Sequence, residues 1–235
     1  MQSVRSVSPG ARPAHAFLLD SSIVRLRAQA AAGLLVAAAG VVILLGIITA
    51  EALYPATYTT FDNEISDLGA TRPPNSIIRQ PSAHIFNTTM LISGAMLLAG
   101  AGLQLRAQPR RRTAIWLGLM GLGVFGVGVF PGDHAPWHGL FAMLAFVAGG
   151  LGAIIIGLAA SQAFRSLSVS LGAVALGSLV TAMLGDLTPA LDHLGDGGVE
   201  RWVAYPTVLW FLLFGGYAMG GGTFGARDGA EQHGQ

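Results

Sequence analysis

Six stretches of the chain, 28–50, 85–105, 113–132, 139–164, 166–185 and 202–226, run for 20 residues or more without Asp, Glu, Arg or His. A bilayer core about 30 Å thick is crossed by roughly 20 apolar residues in helical form. The pattern therefore predicts an all-α polytopic membrane protein, a six-helix transmembrane bundle built of three hairpins. The first stretch is longer than a signal-peptide core and leads into five more, so it reads as a retained span. The expected organisation is a cytoplasmic tail at 1–27, a membrane domain at 28–226 and a cytoplasmic tail at 227–235.

Composition agrees with the pattern. Hydrophobic residues make up 52% of the 235 and charged residues only 11%, where an ordinary soluble domain carries about 25% charged. Cysteine is absent, which excludes disulfides, thiolate metal sites, iron–sulfur clusters and cysteine nucleophiles. The 13 basic residues are all arginine, and 12 acids nearly cancel them. A net charge of +1 gives no reason to expect a nucleic-acid partner.

The arginines set the orientation. With the N-terminus in the cytoplasm, ten of the 13 fall inside, leaving Arg72, Arg79 and Arg201 outside. This is the asymmetry of the positive-inside rule, and it predicts both termini inside. Eight acids then lie outside (Asp62, Glu64, Asp67, Asp133, Asp186, Asp192, Asp196 and Glu200), with Glu51 near the outer end of the first span. His84, His134, His138 and His193 lie at the same boundary. Glycines such as Gly121, Gly123, Gly126 and Gly128 in the third span, and the Gly216/Gly220 pair in the sixth, suit close helix packing within one chain.

Each outer connection carries acid after its first helix and histidine near its second. The middle one, Pro131-Gly132-Asp133-His134-Ala135-Pro136-Trp137-His138, is the tightest and holds Asp133 and His138 near the boundary. The first, about 51–81, is long enough to fold back over the bundle as a lid; its Phe61, Ile65 and Leu68 favour that.

Two motif groups carry a resemblance: Asp62-Asn63-Glu64-Ile65-Ser66-Asp67-Leu68-Gly69 with the His84-Ile85-Phe86-Asn87 opening of the second span, and Gly128-Val129-Phe130-Pro131-Gly132-Asp133 with His138-Gly139-Leu140-Phe141-Ala142. Over roughly residues 30–222 the chain resembles a prokaryotic multi-pass family catalogued as a domain of unknown function, number 998. The resemblance implies a multi-pass protein of a prokaryotic plasma (inner) membrane, and no chemistry.

Three classes of function remain open on the residues. The first is a lipid-associated binding or scaffold module, in which acids and histidines cap helix ends and solvate loops. The second is a metal-dependent hydrolase acting on lipid or polyprenyl headgroup esters at the outer boundary. Its candidate ligands are His84, His138 and His193, one per hairpin, with Asp133, Asp67 and Asp186 as ligands or general base; zinc or another divalent ion would activate water. No compact motif such as HExxH supports it. The third is electron or solute transfer, for which His84 and His138 offer one axial pair for a haem and no second. Membrane lipids are the expected partners, and the oligomeric state is not legible.

Overall fold

The computed structural model describes residues 14–107, 111–184 and 193–222, with side chains from residue 22 onward. Among the described residues the regular structure is helical: α1 (Ala14–Ala52), α2 (Ser82–Ala107), α3 (Arg112–Val129), α4 (Trp137–Leu158), α5 (Gln162–Leu184) and α6 (Gly195–Met219), plus a 3₁₀ turn at Ile65–Leu68. All six helices are long and apolar enough to cross a membrane. The protein is a multi-pass membrane protein.

The helices form a closed ring. Each packs against its neighbours in sequence, α6 closes on α1, and α4 also touches α6. Lipid supplies no hydrophobic drive between helices, so close approach and buried hydrogen bonds hold such a ring together. Gly123 shows the first device: a Cβ there would stand 2.5 Å from the Ala145 backbone nitrogen, so α3 and α4 meet at backbone contact. Trp210 and Ser168 show the second. Trp210 Nε1 donates to Ser168 Oγ at 2.6 Å, and Ser168 Oγ donates to the Ala153 carbonyl at 2.7 Å. Both side chains are fully buried, so one hydroxyl ties α6, α5 and α4.

Most glycines singled out for packing within the chain serve it, Gly121, Gly126 and Gly128 each meeting residues of a neighbouring helix. Gly216 does not; nothing stands within 4 Å of a Cβ built on it.

Helix bounds depart from the charge-free stretches in two places. The α4–α5 turn falls at 159–161, ahead of Arg165, because the arginine turns back within the first turn of α5 and donates from Nη2 to the Ala160 carbonyl at 3.3 Å. The last helix begins at Gly195, seven residues before Trp202, and so takes Asp196, Glu200 and Arg201 into its first two turns. Charge ends an apolar run in sequence without ending the helix.

Connections gather at two ends. At one, Gln29 Nε2 donates to the Gly222 carbonyl at 2.6 Å and the Ser161 amide to Tyr217 Oη at 3.3 Å, drawing together the first half of α1, the end of α6 and the α4–α5 turn. Arg25, Arg27, Arg106, Arg111, Arg112 and Arg165 belong to this arginine end. At the other, acidic end, the 53–81 connection folds inward: Ile65 and Leu68 are buried, and Ser82 Oγ donates to the Leu68 carbonyl at 3.2 Å.

Candidate functional site

Arg201 organises the acidic end. It lies on the second turn of α6, 8% exposed. Nη2 donates to Glu51 Oε1 at 2.5 Å and to Tyr58 Oη at 2.9 Å. Nη1 donates to the carbonyls of Asn63 at 3.0 Å, Gly197 at 2.8 Å and Thr60 at 3.4 Å. Only a guanidinium offers enough fixed donors to bind the end of α1, the long connection and its own helix at once. Burial raises the Tyr58 phenol above its ordinary range, more than its contact with Arg201 lowers it, so Tyr58 stays neutral.

The connection fits this latch because α6 opens with glycines. Gly195 has φ +65°, a conformation side chains resist, and the Gly197 amide donates to the Phe61 carbonyl at 3.0 Å. A Cβ on Gly197 would run into the Asn63 carbonyl. Upstream, Thr59 Oγ1 donates to Asp62 Oδ2 at 2.6 Å and the Thr59 amide to Asn63 Oδ1 at 3.0 Å, closing a turn. The 3₁₀ turn follows, with Asp67 Oδ2 accepting from the Glu64 amide at 3.1 Å.

Two carboxylates face inward from this scaffold. Glu64 takes Arg72 Nη2 on both oxygens, at 2.7 and 2.8 Å. Its carboxyl nevertheless sits above the usual carboxylate range, since burial outweighs the attraction of a largely exposed arginine. Glu200, one turn into α6, accepts a short hydrogen bond from the Ile65 amide on Oε2. Glu200 therefore joins α6 to the 3₁₀ turn beside the Arg201 latch.

Below the connection lies a cleft of about 790 Å³, walled by α4, the last turns of α5 and the first turns of α6. Glu64, Arg72, Asp196, Glu200 and His138 give it a polar side; Phe146, Leu179, Met183 and Val203 give it an apolar one. Met143 and Met183, 36% and 69% exposed, sit on both the cleft and the flank of the bundle. The cleft thus reaches the outer surface between α4 and α5 at Met143 and Met183, whereas Gly157 and Ser168 hold the same helices tightly together nearer the arginine end. A smaller chamber of about 90 Å³ lies at the centre of the ring, lined chiefly by apolar residues of α1, α2, α3, α4 and α6. Ser66, His138, Ala142, Phe146 and Glu200 line both spaces, marking where the cleft meets the apolar chamber.

His138 occupies that junction, 7% exposed. Its Nδ1 lies 2.8 Å from the Phe130 carbonyl. A carbonyl only accepts, so Nδ1 carries the proton, leaving Nε2 of the neutral ring as the basic nitrogen. Phe130 is itself fixed, stacked on Phe141 with centroids 5.4 Å apart and planes 2° from parallel.

The residues anticipated from sequence fare unequally. His138 lies in the site; Asp67 does not line it and instead caps the 3₁₀ turn next to it. Asp133 pairs with the exposed His134 next to it, Oδ1 to Nδ1 at 2.9 Å. His84 and His193 are exposed. Among the described residues no three of His, Asp and Glu stand close enough together to hold a metal ion, so His84, His138 and His193 form no common ligand set. Asp186 lies outside the described residues. The ion pairs at this end are Arg72 with Glu64 and Arg201 with Glu51.

Glu64, Glu200, Arg201, Tyr58 and Ser66 were not singled out by sequence reasoning. The available signal was Glu200-Arg201, a charged pair directly before the sixth apolar run, with Glu51 directly after the first. In a ring that closes α6 on α1, those positions meet.

A family model described as "Protein of unknown function (DUF998)" matches residues 25–217. The chain belongs to this family. The match takes in α2 to α5 whole, most of α1 and α6, and the acidic-end connections, so the Arg201 latch and the cleft lie within the family domain. No curated protein and no solved structure matches the chain.

Proposed function

We propose that the protein binds a membrane amphiphile at its acidic end, with the head on the polar side of the cleft and the apolar stem directed to the central chamber and the α4–α5 flank. The observation that carries this reading is the junction itself. Glu200, His138 and Ser66 border at once a large cleft, polar on one side and apolar on the other, and a small apolar chamber, a division of surface that matches a molecule polar at one end and apolar at the other. Concave sites with an apolar lining and a few convergent polar groups are the usual form of small-molecule pockets.

The arginine distribution supports placing this end on the outer side of a plasma membrane, since six described arginines belong to the opposite end. A lipid would then enter from the outer leaflet through the α4–α5 flank.

The test is native mass spectrometry of the detergent-released protein. Wild type is expected to retain a lipid-sized adduct, and Ala142→Trp, which fills the junction, is expected to lose it while keeping helical content. Adduct-free wild type, or equal retention by the variant, would overturn the reading.

A second reading has one observation in its favour. His138, with Nδ1 held by the Phe130 carbonyl and Nε2 left basic, is suited to take a proton from water attacking an ester of the bound amphiphile. Release of a labelled headgroup by wild type and its loss in His138→Gln, with the adduct retained, would support hydrolysis.

A further inference from the structure

The cleft's charges are unevenly satisfied. Glu64 is matched by Arg72 on both oxygens, which makes a locally neutral pair. Arg201 neighbours Glu200 in sequence, yet its donors go to Glu51, Tyr58 and three carbonyls. Glu200 is left with the Ile65 amide on Oε2 and no hydrogen bond on Oε1 among the described residues. Asp196, four residues earlier, projects from the same face of α6 and lines the same cleft. It too makes no ion pair among the described residues.

Arg72 is the one arginine on the cleft lining among the described residues, and Glu64 already engages it. Two carboxylates therefore face the space without a cationic partner. Asp196, in the first turn of α6, has a local role as well, since acids favour helix N-termini. Glu200 does not share that role: it is the sixth residue of the helix and borders the apolar chamber. An ionised carboxyl half-buried beside apolar surface is costly to leave uncompensated, so such a group either keeps its proton or takes a hydrogen-bonding cation.

We infer that the amphiphile held here carries an organic ammonium in its head, seated against Glu200 and Asp196, with its stem on the apolar wall of α4 and α5. This rests on the amphiphile reading above and narrows it to a class of headgroup. An anionic head would meet two unpaired carboxylates. An ammonium pairs with them and leaves its phosphate, if it has one, near the outward side of Arg72. The lipid source is favoured over a free amine because the cleft opens at Met143 and Met183 on the membrane-facing flank.

The experiment uses two short-chain lipids that share phosphate and acyl chains, dihexanoyl phosphatidylethanolamine and dihexanoyl phosphatidylglycerol. Each is titrated into the detergent-solubilised full chain by native mass spectrometry. Wild type is expected to prefer the ammonium lipid by about tenfold, the equivalent of one well-placed charge interaction. Glu200→Gln keeps an acceptor for the Ile65 amide and is expected to bring the ratio close to one. Asp196→Asn, at an exposed position, is expected to lower the ratio with the fold kept and the melting temperature lowered only slightly through the lost helix-end charge, so the result does not depend on the folding of the Glu200 variant. Binding of neither lipid by folded wild type would sink the amphiphile reading, and this inference with it. Equal binding of both by wild type would leave that reading standing and overturn the ammonium. Displacement of the bound lipid by an equal concentration of free ethanolamine would overturn the lipid source.

Discussion

Arg201 on the last helix donates from Nη2 to Glu51 at the end of the first, 2.5 Å apart, with the arginine side chain 9% exposed and the glutamate 23%. The contact closes the helical ring at the acidic end and fixes the connection that roofs the cleft. Removing one partner of a buried pair leaves the other charge without compensation, at about 3 kcal/mol. Arg201→Ala is therefore expected to lower the melting temperature in detergent strongly and to expose 53–64 to protease. Arg201→Lys, with charge but no fork of donors, is expected to fall between. A variant as stable as wild type, with the connection still protected, would show that the latch does not hold the roof.

Close packing of the helices gives a paired test. Gly123 meets the Ala145 backbone, while nothing stands within 4 Å of a Cβ on Gly102. Gly123→Val is expected to cost about 1–3 kcal/mol through overpacking. Gly102→Ala, at an exposed helical position, is expected to be neutral or to stabilise by up to about 1 kcal/mol. Thermal unfolding of the two variants in one detergent distinguishes them, and equal effects would contradict the packing described for α3 and α4.

Glu64 gives a pH dependence with a definite sign. Burial raises its carboxyl above the ordinary value of 4.5, so the folded protein holds this proton more tightly than the unfolded chain. Stability from this group is then fully present below 4.5 and declines as pH rises through the higher folded value. Glu64→Gln carries no titrating group there. The melting temperature of wild type relative to Glu64→Gln is expected to fall as pH increases across the window just above 4.5; a rise across that window would contradict the assignment.

Much of the fold is legible in the sequence because a bilayer imposes a length and an apolar composition on each span. All six spans emerge from charge-free runs alone. The site is less legible, for a physical reason. Arg201 and Glu51 are 150 positions apart and meet only because α6 packs on α1, a closure that hydropathy does not encode. Glu200 falls outside the charge-free run that begins at Trp202, whereas the helix continues through it. His84 and His193 lie near helix starts as expected, but exposed and not joined to His138 in a metal-binding group; histidine content at a boundary specifies depth and not direction.

The natural absence of cysteine makes orientation directly measurable. Single cysteines at Ser76, exposed on the acidic-end connection, and Ser161, exposed at the arginine end, can be probed with a membrane-impermeant maleimide on intact cells. Ser76→Cys is expected to label and Ser161→Cys to label only after lysis. The reverse pattern would invert the proposed orientation.

The central claim, that an amphiphile enters between α4 and α5 and reaches the junction at His138 and Glu200, is tested most directly by photo-crosslinking in nanodiscs. The probe is a phosphatidylethanolamine with a diazirine in its acyl chain, and crosslinked residues are read by peptide mass spectrometry. Crosslinks concentrated at Ala142, Phe146 and Ala204, lost in Ala142→Trp, are the expected result. Crosslinks confined to exposed outer positions such as Leu34, Ile92 and Ile115 would show a lipid that only surrounds the bundle, and would contradict the claim.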